Sequence, residues 1–284
     1  MTISNCARVI FPESGHTKGD LADYYEQISP LILPFLANRP TSLVRCPKGI
    51  AGTCFFQKHY THSLGSLVRH LAIREKDGAV EEYIFLNDAD GLLACVQMST
   101  VEFHIWGAHC SDPESPDRLV FDLDPGDGVE FADIKWAAKE IAKRLSYSEL
   151  KSFALLTGGK GIHVVVPLSG GHGWDAHSGF AHCFARALAV EEKDRFTDQM
   201  SRENRKGKIF IDYLRNHRGN TAVAPYSARA HAGASVAIPV GWEELDEFDS
   251  ARPYSIGDAA LLLKRAESSF LADWGIADQT LPLE

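Results

Sequence analysis

The chain has no run approaching the roughly 20 apolar residues that a membrane-spanning helix requires, and its N-terminus lacks the basic-then-apolar pattern of a secretory signal. The expected setting is therefore cytoplasmic, with no membrane partner. No C-x-x-C pair occurs, and the six cysteines (Cys6, Cys46, Cys54, Cys95, Cys110, Cys183) are scattered, several of them inside apolar stretches. That pattern predicts reduced, partly buried thiols and excludes a disulfide-framed miniprotein. His109-Cys110 and His182-Cys183 are adjacent pairs, but neighbours in regular structure diverge and no second pair stands at ligand spacing, so zinc is not expected. Positive charge is also short: 29 Lys and Arg against 38 Asp and Glu give a net charge of -9, which speaks against a uniformly basic nucleic-acid surface. Distribution tempers the sum. Arg202, Arg205, Lys206, Lys208, Arg215, Arg218 and Arg229 crowd one region, so a basic channel on an acidic protein stays open.

What is present suffices for a large core, since 284 residues are 45% hydrophobic. Arg8-Val-Ile-Phe reads as a short strand, and Thr17-Lys-Gly-Asp20 as a capping box opening a helix with Leu21, Tyr24, Tyr25 and Ile28 inward. Lys18 opposes the helix dipole in its first turn, so locally it reads as solvated surface, with an anion-binding terminus as the functional alternative. Thr41 to Cys46 is a strand, followed by Cys54-Phe-Phe-Gln-Lys-His59. Phe55 and Phe56 project to opposite faces, so one packs in a core while the other is a candidate to stack on a base beside Lys58. A hairpin turns at Lys76-Asp-Gly78, a short helix covers Asp88 to Met98, and Val101 to Trp106 is a strand. Ser111-Asp-Pro-Glu-Ser-Pro116 reads as a linker, which places a module boundary between 116 and 117. Beyond it, helices are predicted over Phe131 to Leu145, Trp174 to Glu191 and Ile256 to Trp274. Strands are predicted over Phe153 to Thr157, Ile162 to Leu168 and Ile209 to Leu214. The fold class is α/β.

Three stretches carry chemistry. Arg118-Leu-Val-Phe-Asp-Leu-Asp-Pro-Gly is an apolar strand running into a turn, and strand alternation puts Asp122 and Asp124 on one side. So close a pair would share a proton unless a cation lay between them, although an isolated Asp-Pro-Gly is ordinary turn chemistry. Thr157-Gly-Gly-Lys-Gly-Ile-His163 offers backbone N–H groups, a hydroxyl and Lys160 to an anion such as a triphosphate. It is not a Walker A loop, because no G-K-[ST] step leads into a helix. His163 is either a satisfied core histidine or a phosphate donor. Ile209-Phe-Ile-Asp212-Tyr-Leu-Arg215 sets a third carboxylate on an apolar strand, where it needs a metal, a cation or several N–H donors.

In this order and spacing, D-L-D-P-G, G-G-K-G-I-H, F-I-D-Y-L-R-N and A-P-Y-S-A-R, with Phe11-Pro12, Thr17-Lys-Gly-Asp-Leu, Arg45-Cys-Pro and Phe55-Phe-Gln-Lys58 upstream, resemble the polymerase domain of bacterial DNA ligase D, of the archaeo-eukaryotic primase superfamily. The resemblance spans nearly the whole chain. It implies a primase-polymerase domain over 1–284, with an RRM-like catalytic sheet and flanking helices in 117–284 packed on an N-terminal α/β DNA-binding module in 1–116. The implied activity is nucleotidyl transfer to a primer 3′ end in end joining or gap filling, the alternative being de novo primer synthesis. Asp122, Asp124 and Asp212 would hold two Mg²⁺ or Mn²⁺ ions. Thr157, Lys160, His163, Arg215 and Arg229 would bind the NTP or dNTP. Phe55, Phe56 and Lys58 would meet the template, and Arg8 and Lys18 the 5′-phosphate of a gap or broken end, which reverses the local readings of Lys18 and the Phe pair. Ku and a separate ligase are the implied partners and the nucleoid the implied location. The chain leaves no room for a ligase or nuclease domain, so an excised domain or a stand-alone enzyme is expected.

Three positions depart from the family pattern: Thr157 replaces a common Ser, Arg8 a common Lys, and His231 a common second Arg. Two other functions share part of this pattern. A haloacid-dehalogenase phosphatase also opens on h-h-h-D-x-D-x-G, but Gly257-Asp258 is followed by Leu262 where its second Asp should stand. A non-catalytic nucleic-acid or Ku-binding module would have no use for all three aspartates.

Overall fold

The predicted capping box is formed: Asp20 N–H donates to Thr17 Oγ1 at 3.2 Å, and Thr17 N–H donates to Asp20 Oδ2 at 2.7 Å. These bonds open α1 (Lys18–Leu36), whose buried stripe includes Leu21, Tyr24, Tyr25 and Ile28. The helix continues through Pro30, which cannot donate to Glu26; Ser29 Oγ donates to that carbonyl instead, at 2.9 Å. The structure, a computed structural model, describes residues 2–282. Among these, no helix is long and apolar enough to cross a membrane.

The chain forms two units. The first takes residues up to Pro113 together with Val223–Ala237 and Tyr254–Ser268. Its elements are β1 (Val9–Phe11), α1, β2 (Thr41–Arg45), β3 (Phe55–Gln57), the hairpin β4 (Arg69–Arg74) and β5 (Val80–Phe85), α2 (Ala89–Gln97) and β6 (Thr100–Ile105). Strand β2 lies antiparallel between β3 and β6, with Leu43 opposite Gln57 and Phe103. Tyr25 ties α1 to this sheet, its hydroxyl donating to Val101 O at 2.7 Å and accepting from Ala228 N–H at 2.9 Å.

The second unit takes Glu114–Ala222, Ile238–Pro253 and the chain from Ser269 onward. It contains β7 (Arg118–Pro125), α3 (Phe131–Tyr147), β8 (Phe153–Leu156), β9 (Ile162–Pro167), α4 (Trp174–Glu191), β10 (Phe196–Thr197), β11 (Ile209–Asp212) and β12 (Ile238–Val240). These strands form one six-stranded sheet in the order β10-β11-β7-β9-β8-β12. All its pairings are antiparallel except β10 with β11. Strand β7 lies in the interior of the sheet between β11 and β9, with its apolar stretch Leu119 to Leu123 buried. Leu119, Phe121 and Leu123 are fully buried, and the Phe121 ring lies 4.9 Å from Phe184 of α4.

Four expectations need correction. Cys46 and Cys54 form a disulfide rather than two reduced thiols; β2 and β3 are antiparallel neighbours, and the two cysteines stand opposite each other just past the Arg45–Phe55 pair. The stretch read as a linker includes a strand, Asp112–Pro116. The closing helix predicted over Ile256 to Trp274 is helical only at Ala259–Ala266. A 3-10 turn precedes it at Ile256–Asp258, and after it Ser268 Oγ takes the Arg265 carbonyl. Finally, Lys18 is not solvated surface but 2% exposed, its ammonium donating to Ser4 O at 3.0 Å and Gln97 Oε1 at 2.9 Å.

Candidate active site

The register of the six-stranded sheet brings the carboxylates together. Asp122 on β7 stands directly opposite Asp212 on β11 and, on its other flank, opposite His163 on β9. Directly opposed residues share a face, so His163, Asp122 and Asp212 form a row across three strands, with Asp124 two residues farther along β7. One oxygen from each of Asp122, Asp124 and Asp212 lies within 4.8 Å of the others. Asp122 and Asp212 are buried, whereas the Asp124 side chain is 42% exposed at the mouth of the cluster.

Two glycines permit this approach. A Cβ on Gly161 would stand 2.1 Å from Leu123 O, and one on Gly126 would stand 1.7 Å from Arg205 O. Only residues without side chains let the Thr157 loop and the 205–208 segment close on either end of the aspartate pair.

Cations answer the carboxylates unevenly. Asp122 is held on both oxygens, by His163 Nε2 at 3.3 Å from Oδ1 and by Arg215, whose Nη2 is 3.0 Å from Oδ2. Arg215 Nε also reaches Asp212 Oδ2 at 3.2 Å, and Leu214 N–H donates to Asp212 Oδ1 at 2.9 Å. Arg205 Nη1 is 3.6 Å from Asp124 Oδ2. Burial alone would raise the Asp122 carboxyl, but His163 and Arg215 hold it well below the usual carboxylate range. Asp124 goes the other way, pushed up to about 6 by burial and by the charges of Asp122 and Asp212. Burial raises Asp212 as well. His163 Nδ1 is buried and has no hydrogen-bond partner among the described residues. A set of three hard oxygen donors with too little positive charge fits a divalent cation of the Mg²⁺ class.

Beside the triad, the Thr157 to Gly161 turn is preset. Thr157 Oγ1 donates to Gly161 O at 2.9 Å and accepts from Gly159 N–H at 3.2 Å, while Lys160 is exposed. The second unit thus brings together Asp122, Asp124, Asp212, Thr157, Lys160, His163 and Arg215. The remaining predicted residues lie in the first unit. There Phe55 and Phe56 are 43% and 50% exposed, so neither fills a core, and Lys58 is exposed too. Arg8 donates to Pro47 O at 2.9 Å and Ser99 Oγ at 2.6 Å, while its buried Nε has no partner among the described residues.

Arg229 also belongs to the first unit, in a cluster that the sequence reading missed. Glu102 on β6 receives His104 Nε2 at 2.7 Å, Arg229 Nε at 3.0 Å and Ala230 N–H at 2.7 Å. The signal was present, because Glu102 and His104 are polar residues at alternating positions of an otherwise apolar strand. Asn216 closes the F-I-D-Y-L-R-N motif, which by itself assigns it no role. It is 2% exposed, and its carboxamide bonds the backbone of Val120.

Comparison with known proteins gives concordant results. A family model described as "LigD, primase-polymerase domain" matches residues 17–270. The "Multifunctional non-homologous end joining protein LigD" of Pseudomonas aeruginosa is 38% identical over 258 residues, which are 89% of this chain and 30% of that protein. The protein of the same name from Mycolicibacterium smegmatis is 32% identical over 245 residues, 86% of this chain and 32% of its own length. The chain therefore spans about a third of these relatives. Among solved structures, "Polymerase Domain from Mycobacterium tuberculosis Ligase D in complex with DNA" superposes with a TM-score of 0.87 at 29% identity, covering 96% of this chain and 99% of that one.

Proposed function

The chain belongs to the LigD primase-polymerase family, and from that premise we propose that it is a DNA-directed nucleotidyltransferase that adds NTPs or dNTPs to a primer 3′ end in end joining or gap-filling repair. The observation that carries the reading is the convergence of Asp122, Asp124 and Asp212 within 4.8 Å, on the sheet that also bears the Thr157 to His163 turn.

Asp122, Asp124 and Asp212 would hold two divalent ions, Mg²⁺ or Mn²⁺. When bound, such ions supply Lewis-acid stabilisation of charge on the transferring phosphoryl group and acidify the attacking 3′-hydroxyl. The side chains prepare the site for this. The raised Asp124 carboxyl is the one most ready to exchange a proton for a cation. Arg215, touching both Asp122 and Asp212, is proposed to turn from the carboxylates to the triphosphate when positive charge arrives from solution. His163 would donate to the same anion and Lys160 would add a mobile charge, while the Thr157, Gly158 and Gly159 N–H groups are spent on Gly161 O, Ala251 O and Thr157 Oγ1 and hold the turn in shape. Arg229 keeps a nucleotide-binding role on the strength of the A-P-Y-S-A-R motif.

In the first unit, the exposed Phe55 and Phe56 offer π-faces to unstacked template bases, next to Lys58. Arg8 and Lys18 are proposed to take the 5′-phosphate across a gap. Burial and then the neighbouring Arg8 lower the pKa of Lys18, and a phosphate beside the two cations would offset their mutual repulsion. DNA with gaps or broken ends is the proposed substrate, with Ku and a ligase as the proposed partners.

The test is extension of a primer on a gapped duplex, with and without a 5′-phosphate, with NTP or dNTP and with Mg²⁺ or Mn²⁺. Extension that needs the metal and prefers the phosphorylated gap supports the assignment. Synthesis of dinucleotides on unprimed single strands, without primer extension, would replace it with a primase.

A further inference from the structure

Strand β11 stops at Asp212, where the chain turns into a 3-10 segment, Leu214–Asn216. The ladder between β7 and β11 accordingly pairs Asp122 with Asp212 and ends there. Two residues beyond that last pair, the Val120 N–H and C=O have no partner on β11. Both are buried in the centre of the sheet, where an unpaired peptide group is costly. Asn216 takes the place of the missing strand. Its Oδ1 accepts from Val120 N–H at 2.7 Å, and its Nδ2 donates to Val120 O at 2.8 Å. The second Nδ2 hydrogen goes to Tyr213 O at 2.9 Å, which closes the turn on itself.

This carboxamide clamps two things together. Through Val120 it grips the strand two residues before Asp122. Through its own backbone it grips the turn that carries Asp212 at one end and Arg215 in the middle. Arg215 is the cation that spans Asp122 and Asp212, and Asp212 Oδ1 is committed to Leu214 N–H in the same turn. Displacement of the 213–216 turn would therefore move one metal-binding carboxylate and the bridging guanidinium relative to the other two carboxylates.

We infer that Asn216 is a positioning residue for the carboxylate site: it sets the separation of Asp212 and Arg215 from Asp122, and hence the affinity of the triad for divalent cations. The inference rests on the reading of the triad as a metal site. Asn216 does not touch the reacting groups; it acts through β7 and the turn. Only a side chain with an acceptor and two donors on one planar group makes all three bonds, which Asp, Ser or Ala cannot.

The test is Mn²⁺ binding to the full chain, measured by the loss of the free-ion electron paramagnetic resonance signal on titration with MnCl₂ and no nucleotide present. Wild type, Asn216→Ala and Asn216→Asp are compared, each checked for cooperative thermal unfolding. Outer partners of metal ligands typically change affinity by about 10- to 100-fold, and a weakening of that size in a folded Asn216 variant is the expected result. In primer extension the same variant should need a correspondingly higher Mn²⁺ concentration for half-maximal rate, while its KM for the gapped DNA stays at the wild-type value. Wild-type Mn²⁺ affinity in a folded variant overturns the inference. Failure of both variants to fold also overturns it, since Asn216 is then a structural residue alone. Asp124→Ala separates the two levels: if it binds Mn²⁺ as tightly as wild type, the metal reading itself falls, whatever Asn216 does.

Discussion

Each unit buries carboxylates on a sheet, but the two units balance them differently. In the first, a single carboxylate, Glu102, collects His104, Arg229 and a backbone N–H. Burial would raise it, yet these partners outweigh burial and bring it down to about 2. In the second, three carboxylates share Arg215 and His163, with Arg205 at the rim, and Asp124 rises to about 6. A saturated carboxylate holds its neighbours in place. An under-compensated cluster destabilises the fold and gains from positive charge supplied by a ligand, as expected of a site built for binding rather than for stability.

That contrast can be broken by substitution. The largest effect belongs to Asp124→Ala, which should cut primer extension roughly 10³-fold or more. Its thermal midpoint should be equal to or higher than that of wild type. The sign follows from the raised carboxyl: folding favours the protonated form, so the charge carried at neutral pH opposes the fold. A fall of several degrees in the scanning-calorimetry midpoint would mean that the triad is balanced after all.

Glu102→Ala should behave in the opposite way. It removes the buried carboxylate that Arg229 and His104 meet, leaves a void in its place and should cost about 3 kcal/mol in denaturant unfolding. A loss below about 0.5 kcal/mol, the size of a surface pair, would remove the distinction between the units. The same residue predicts a pH profile. Its folded-state pKa lies below the ordinary value of 4.5, so its stabilisation is complete above about pH 4.5 and drains away toward about 2. Thermal midpoints recorded through that window should fall in wild type and fall less in Glu102→Gln. Smallest is Phe56→Ala, which removes an exposed ring: affinity for gapped DNA should weaken roughly 10-fold with the midpoint unchanged. Unaltered DNA affinity would turn the exposed pair into ordinary surface.

Much of the second unit was legible before the fold was known, because its signals are local. Apolar runs interrupted once by Asp122, His163 or Asp212 mark strands whose polar residue needs a reason, and the helix over Trp174–Glu191 follows from its period. Other features depend on pairing between distant segments, which periodicity does not encode. The Cys46–Cys54 bridge needs β2 and β3 as neighbours, and the burial of Lys18 needs Ser4 and Gln97 around it. The Glu102 cluster joins β6 to a segment more than 120 residues later. The helix expected over Ile256 to Trp274 is cut short because the chain from Ser269 belongs to the other unit, so an amphipathic pattern continues past the element it describes.

Gly126 and Gly161 give the site a narrow mutational neighbourhood. A single added methyl at either position would meet a main-chain oxygen that belongs to the sheet or to its bordering segment, with no flexible side chain to turn aside. A saturation library read out for folded protein should therefore show intolerance at two points that carry no chemistry themselves. Substitution in the 157–163 turn is thus confined to its side chains, the backbone that frames them having no room to change.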